Sequence, residues 1–263
     1  MKKTTLRDGT KIYCITKLET QMLDMHVSAY LKNDIEINSK DTIIDVGANI
    51  GIFGHRILQQ YKAEILAFEP IDIIFKVLEK NMKLSKNDKY KIFPYGISNK
   101  NESINFVYYP NCPALSTSSP EIWNDNQQLL LAIKGSLESA PKEWWWAKFI
   151  PAQFYFLISY WMKRNSKNIK CELKTLSYVI ENNSLHKIDL LKIDCEGNEL
   201  KVLEGIDEIH WPLIKQIVLE VHNIDDRLNK IINILKKQGF KLKVEKEASL
   251  KETDLFNIYA KRK

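Results

Sequence analysis

An early stretch of the chain has apolar and polar positions that predict a strand, a turn, a helix and a second strand. The β-branched run 42–46 predicts the first strand, the helical spacing of residues 52–61 predicts the helix, and the apolar run 65–68 predicts the second strand. The turn between the first strand and the helix begins at Gly47 and ends at Gly51. This order is typical of a βαβ unit with a ligand site at the carboxyl ends of its strands.

The remaining pattern extends this unit into a larger sheet. A third strand is predicted over residues 90–97, and two further buried strands over 190–193 and 214–221. Alternation over residues 103–109 predicts a hairpin strand that returns near 170–173. We therefore expect an α/β fold with a Rossmann-like, doubly wound and mostly parallel sheet.

The predicted elements divide the chain into a cap and one domain. Residues 1–40 precede the first strand of the sheet, and their spacing over 20–31 predicts a helix that covers the ligand site. Residues 41–263 are expected to form a single domain, since a chain of 263 residues with 44% apolar side chains buries one full core.

An aromatic-rich, helical insertion is expected at about residues 120–168. It holds five of the six tryptophans, and its apolar run 147–162 is shorter than the roughly 20 residues of a membrane-spanning helix. Three hypotheses stay open for this insertion: a lid over the ligand site, a packing or homodimer element, and a surface that docks on a membrane or a carrier protein.

Charge and cysteine content exclude some classes of protein. The net charge is +6, but basic and acidic residues are interspersed, so no nucleic-acid partner is expected. The four cysteines have neither a metal-site spacing nor a disulfide pattern. The first residues contain no apolar run of signal-peptide length. We therefore expect a cytoplasmic protein without a transmembrane segment.

Two acidic residues flank the glycine turn and predict its ligand. Glu69, at the end of the second strand, is placed to accept both hydroxyls of a ribose, while the turn exposes backbone N–H groups. Asn49 stands where a dinucleotide motif has its middle glycine, which disfavours a nicotinamide oxidoreductase. Asp45 before the turn favours a cationic group over a phosphate, and the amino group of S-adenosylmethionine is such a cation.

A second group of ionisable residues follows the later strands. Asp194 and Glu196 come directly after the strand 190–193, and Glu220 and His222 end the strand 214–221. Because parallel strands present their carboxyl ends at one edge of a sheet, these four side chains should gather near the glycine turn.

The motifs in this order resemble the FkbM-type methyltransferases. They are DVGANIG, FEP, Lys174-Thr-Leu176, LLKIDCEGNE, Val202-Leu-Glu-Gly205 and EVH, spread over about residues 40 to 225. The resemblance implies a class I methyltransferase fold and S-adenosylmethionine-dependent O-methylation of a small molecule, a sugar or a biosynthetic intermediate. It also implies that the segment after the third strand borders the adenine, although Gly96 also fits an ordinary turn. The expected cofactor-binding residues are Asp45, Gly47, Asn49, Gly51, Glu69, Gly96, Ile97, Ser98 and Asp194.

For the chemistry, the acceptor hydroxyl needs a general base. His222 is the first candidate because the ordinary pKa of histidine lies near neutral pH, and Asp194 and Glu220 stand beside it. A second hypothesis is that Asp194, Glu196 and Glu220 bind Mg²⁺, which orients and acidifies the acceptor. The structural alternative is that Lys192 pairs with one of these carboxylates and Glu196 caps a helix. The alternative to an enzyme is a cofactor-binding module that docks a protein partner through the insertion.

Overall fold

The computed structural model describes residues 1–85, 87–123, 126–140 and 142–262. Its strands, in chain order, are β1 (Lys2–Thr5), β2 (Lys11–Cys14), β3 (Thr42–Val46), β4 (Glu64–Phe68), β5 (Tyr90–Phe93), β6 (Gly96–Ile97), β7 (Glu102–Tyr108), β8 (Lys167–Lys174), β9 (Leu190–Ile193), β10 (Gln216–His222), β11 (Lys241–Glu245) and β12 (Leu255–Lys261). Its α-helices are α1 (Lys17–His26), α2 (Ile52–Gln60), α3 (Asp72–Ser85), α4 (Asn126–Glu138), α5 (Tyr155–Lys163), α6 (Leu176–Asn182), α7 (Glu199–Glu204) and α8 (Arg227–Lys237).

The central sheet has seven strands in the order β11-β12-β10-β9-β3-β4-β5. The five strands from β10 to β5 are parallel, whereas β12 runs antiparallel to both β10 and β11. Strand order reverses between β3 and β9, because the chain builds outward from β3 through β4 and β5 before it returns through β9. The predicted doubly wound, mostly parallel sheet is confirmed, and its reversal point is where such sheets bind ligands.

Burial on both faces explains why these strands are continuous apolar runs. All five residues of β3 are buried. Ile43 packs into one apolar cluster with α2 and α3, while its neighbour Ile44 packs into a second cluster with Leu191 and Leu219. Successive side chains of a strand point to opposite faces, so a parallel sheet covered on both faces needs apolar residues throughout.

The third strand is shorter than its pattern predicts. β5 ends at Phe93, and Gly96 and Ile97 pair instead with β8 in a separate three-stranded sheet. Pro94 stands between the two segments, and proline has no N–H to donate to a β-ladder. The predicted hairpin is confirmed, since β7 pairs antiparallel with β8 over its full length.

The chain between β7 and β8 contains α4 and α5. Under them lies a third apolar cluster, which includes Tyr109, Trp123 and Leu129. The inner face of α5 adds Tyr155, Ile158 and Met162 to this cluster. No helix among the described residues is long and apolar enough to cross a membrane.

The N-terminal segment packs beside the carboxyl edge of the sheet. β1 and β2 form a small antiparallel sheet, and α1 continues into a 3₁₀-helix over Val27–Leu31. Tyr259 of β12 donates a 2.8 Å hydrogen bond to the carbonyl of Ala29 in this 3₁₀-helix. The predicted helix over residues 20–31 is therefore an α-helix followed by a tighter turn, and it brings Tyr30 toward the glycine turn.

Candidate active site

A cleft opens where β3, β4 and β9 end, and its empty space, together with the adjoining open solvent, amounts to about 1000 Å³. One side is the turn that follows β3, and the other sides come from the N-terminal segment and from residues after β7 and β9. The reversal point of a parallel sheet is the usual place for a small-molecule site. Predicted site residues that border the cleft are Gly47, Asn49, Glu69, Gly96, Ile97, Asp194 and Glu196.

The turn after β3 can be built only with glycine at its first position. Gly47 has a φ of +76°, and a Cβ there would lie 1.7 Å from the carbonyl oxygen of Asp194. Gly51 has a φ of +87° and precedes α2, where a Cβ would meet Leu78 and Tyr90. Gly51 therefore shapes the turn from behind and does not border the cleft.

Glu69 is held by the backbone at the end of β4. Its two carboxylate oxygens accept hydrogen bonds from the N–H of Asn49 at 3.1 Å and from the N–H of Ile71 at 2.9 Å. Burial raises the pKa of Glu69 to about 7, although these two hydrogen bonds act in the opposite direction. Each carboxylate oxygen has a second lone pair, so Glu69 can still accept hydrogen bonds from the hydroxyl groups of a ligand in the cleft.

Lys192 connects the turn to β3 and β9. Its ammonium group lies 3.0 Å from Asp45 and 3.5 Å from Asp194, and it donates a 2.9 Å hydrogen bond to the carbonyl of Gly47. Burial alone would lower the pKa of Lys192, but the two carboxylates outweigh it and raise that pKa. The cation that Asp45 faces in this structure is thus Lys192, and Asp45 is fully buried behind it.

Tyr30 closes this network from the N-terminal segment. Its hydroxyl donates a 2.8 Å hydrogen bond to Oδ2 of Asp194, and its ring meets Phe53 edge to face at 6.0 Å. Both rings border the cleft. Asp194 is therefore oriented by Tyr30 and Lys192 together. The sequence does not indicate Tyr30, because its partner is 164 residues away along the chain.

His222 and Glu196 form a pair behind the cleft. Nε2 of His222 lies 3.1 Å from Oε2 of Glu196, and the ring of Trp123 packs edge to face on the imidazole at 5.3 Å. Glu196 borders the cleft, whereas His222 borders a separate depression beside Trp123. Burial lowers the pKa of His222, and burial together with Asp194 raises the pKa of both Glu196 and Glu220.

A histidine that no sequence motif indicates borders the cleft directly. His26, the last residue of α1, has its Nδ1 atom 2.7 Å from Oε2 of Glu247. When Nδ1–H donates a hydrogen bond to this carboxylate, the lone pair of the imidazole lies on Nε2, which is the arrangement of a general base. The two residues are 221 positions apart, so no sequence spacing reveals the pair.

Several predicted residues do not meet at the cleft. The structure places Asp45, Gly51, Ser98, Glu220 and His222 outside its lining. Among the described residues, the three side chains with possible metal-ligand atoms within 4.8 Å of one another are Glu181, Asp207 and His210. Within the residues that the structure describes, the carboxylates of Asp194, Glu196 and Glu220 do not meet this 4.8 Å criterion. The Mg²⁺ hypothesis thus rests on the sequence pattern alone.

The groups that line the cleft suit S-adenosylmethionine in their chemistry. Glu69 offers acceptors for ribose hydroxyls, Ile97 and Pro70 provide an apolar wall, and Asp194 provides negative charge beside the glycine turn. Fold and cleft together define a methyltransferase of the class I type, for which S-adenosylmethionine is the methyl donor.

Comparison with known proteins places the chain within this class. Residues 45–242 match the family model described as "Methyltransferase FkbM domain". This chain belongs to the FkbM methyltransferase family, which favours a methyltransferase over the nicotinamide oxidoreductase and over the non-enzymatic binding module.

Two relatives match over most of their length. The methyltransferase sdnD of Sordaria araneosa is 32% identical, and the alignment covers 89% of this chain and 86% of sdnD. The 31-O-demethyl-FK506 methyltransferase FkbM of Streptomyces tacrolimicus is 26% identical, with coverages of 98% and 95%. A crystal structure of methyltransferase FkbM from Methylobacillus flagellatus KT shares the fold, with a TM-score of 0.53 and 12% identity. That likeness covers 86% of this chain and 45% of the crystallised one.

Proposed function

We propose that this chain transfers a methyl group from S-adenosylmethionine to a hydroxyl oxygen of a small molecule, a sugar or a biosynthetic intermediate, free or bound to a carrier protein. The main support is that one cleft is lined by Glu69, which offers hydrogen-bond acceptors, and by His26 and Glu196, which can accept a proton. A relative gives further support, because its name describes methylation of a 31-O-demethyl compound. We place the reaction in the cytoplasm, in keeping with four free cysteines.

The cofactor-binding residues have distinct tasks in this proposal. Glu69 accepts the ribose hydroxyls, Gly96 and Ile97 border the adenine, and the turn from Gly47 to Asn49 allows close approach of the backbone. Asp194 faces the cationic end of the cofactor. Asp45 acts through Lys192, which it keeps charged and in contact with the turn. When bound, S-adenosylmethionine supplies an electrophilic methyl group on a sulfonium.

Proton removal falls to a histidine in this proposal. His26 borders the cleft and is oriented by Glu247, so it is the base that the geometry favours. His222, the candidate from the sequence, reaches the same cleft only through Glu196. Glu247 holds the His26 ring in one tautomer, and Glu196 does the same for His222, as a general base requires. Tyr30 donates to the carboxylate of Asp194, and Phe53 packs edge to face on the Tyr30 ring, so the N-terminal segment forms one wall of the cleft.

The test combines binding with product analysis. Calorimetry should show heat of binding with S-adenosylmethionine and none with NADH. Incubation with methyl-labelled S-adenosylmethionine and a panel of hydroxylated acceptors should then give a labelled ether, which survives alkali, whereas a carboxyl methyl ester does not. Label that appears only in alkali-labile esters or in N-methyl products would contradict O-methylation while leaving the methyltransferase class intact.

A further inference from the structure

The described residues expose large apolar side chains mainly on one part of the insertion. Of fourteen such side chains, eight lie between residues 145 and 161. Trp145, Trp146 and Phe149 come from the 3₁₀ segment Lys142–Phe149, and their exposed fractions run from 52% to 73%. Single exposed apolar residues are ordinary, but eight of them within 17 consecutive residues mark an interaction surface.

Helix α5 supplies the rest of this surface. Its residues Phe156, Leu157, Tyr160 and Trp161 are each more than half exposed. They share one side of the helix, since they follow the spacing i, i+1, i+4, i+5. The opposite side of α5 already packs on the third apolar cluster, so packing within the chain does not account for the outer apolar stripe. We call these four residues, with Trp145, Trp146 and Phe149, the aromatic face.

The aromatic face does not border the cleft. This placement does not support the hypothesis that these side chains form a lid over the acceptor. Trp123, at the start of the insertion, covers His222 instead. The aromatic face is therefore available to a partner outside the chain.

Basic residues flank the aromatic face along the chain. Residues 142–170 contain six basic side chains and one acidic side chain, Glu143, which gives a net charge of +5 within a chain of net charge +6. Among the described residues, none of the six takes part in an ion pair within 4 Å. A twofold contact between two copies would bring two such positive surfaces together, and like charges across an interface oppose association.

We propose that the aromatic face binds the surface of an anionic lipid bilayer. Trp and Tyr place a ring among apolar groups and an N–H or O–H at the wet boundary, which suits the headgroup region. Lys148 and Arg164 are exposed beside the face and meet lipid phosphates. α5 has nine residues, so it lies in the interface and does not span it.

Vesicle flotation tests this proposal with the full chain. Wild-type protein should float with vesicles of phosphatidylcholine and phosphatidylglycerol, and much less with phosphatidylcholine alone. The triple variant Trp145→Ser, Phe156→Ser, Trp161→Ser should lose about tenfold or more of its binding. The double variant Lys148→Glu, Arg164→Glu should lose the preference for phosphatidylglycerol. Leu84→Ser with Ile209→Ser is the matched control, because both positions are exposed apolar residues elsewhere on the chain.

All variants must bind S-adenosylmethionine as the wild type does, or unfold at the wild-type temperature, which shows that they are folded. The proposal would be overturned if the wild-type protein floated with neither kind of vesicle or equally with both. Unchanged flotation of the triple variant would also overturn it. A concentration-dependent dimer that the triple variant abolishes, without vesicle binding, would assign the face to a second copy instead. These results are independent of the methyl acceptor.

Discussion

The ammonium group of Lys192 lies 3.0 Å from the carboxylate of Asp45, with both side chains buried in the middle of the sheet. The pair joins β9 to β3, and Lys192 also donates to the carbonyl of Gly47 in the turn. A buried charge is tolerated only with its partner. The ion pair therefore couples the stability of the sheet to the shape of the glycine turn.

Removing one charge of this pair should strongly destabilise the protein. We expect Lys192→Met to lower the free energy of unfolding by about 3–5 kcal/mol, because Asp45 is left buried without a counter-charge. The double variant Lys192→Met, Asp45→Asn should recover much of this loss. Urea unfolding followed by circular dichroism measures both values, and a double variant no more stable than Lys192→Met would show that Asp45 is not the cause.

The pKa of Glu69 predicts how cofactor binding depends on pH. Burial raises this pKa to about 7, and the ionised form is the stronger acceptor for ribose hydroxyls. Affinity for S-adenosylmethionine should therefore fall as the pH drops below 7 and level off above it. In Glu69→Gln this pH dependence should disappear. The binding free energy should weaken by about 1.5–3 kcal/mol for each charged hydrogen bond that is lost. Calorimetry across pH measures both, and equal slopes in the two proteins would place the ribose elsewhere.

Two glycines with similar backbone angles should respond differently to alanine. Gly47→Ala brings a Cβ against the Asp194 carbonyl, so it should displace the loop after β9 and abolish cofactor binding. Gly9 has a φ of +86°, but a Cβ added there would meet no atom within 4 Å. Gly9→Ala should cost only the roughly 1–2 kcal/mol of a left-handed conformation. Thermal unfolding and calorimetry of both variants check this contrast, and intact binding in folded Gly47→Ala would refute it.

Two histidine variants separate the candidate bases. His26→Gln should lower turnover about a hundredfold or more while cofactor affinity stays unchanged, because His26 acts on the acceptor proton. Glu247→Gln should lower turnover less, since it only orients the ring. His222→Gln should have the smaller effect of the two histidine variants, given its place outside the cleft. Steady-state rates decide the order, and a larger loss in His222→Gln would return the base to the Glu196–His222 pair.

Chelation tests the metal hypothesis. We expect EDTA to leave methyl transfer unchanged. Among the described residues, the carboxylate oxygens of Asp194, Glu196 and Glu220 do not form a group whose members all lie within 4.8 Å of one another. Activity lost in EDTA and restored by Mg²⁺ would support the three carboxylates as ligands. Glu181→Gln serves as the control variant, because its group lies away from the cleft.

The local parts of the site were predictable because neighbouring residues form them. Gly47, Gly51 and Glu69 fall within one βαβ unit, where strand and helix periodicity fix their positions relative to one another. The pairing of β7 with β8 was also predictable, since alternation over residues 103–109 indicates a hairpin strand and residues 170–173 offer its return. Pro94, by contrast, ended the third strand early, although the apolar pattern continued to Ile97.

Periodicity and short motifs were enough to predict the fold class, the glycine turn and the family. Which ionisable groups meet became visible only once the separate elements were packed together. This packing turned Asp45 toward Lys192, placed His222 behind Glu196, and brought His26 to Glu247 across 221 residues. It also exposed the outer side of α5. Such contacts depend on how separate elements pack. Two partners that are far apart in the sequence form no motif of fixed spacing, so the sequence pattern does not indicate them.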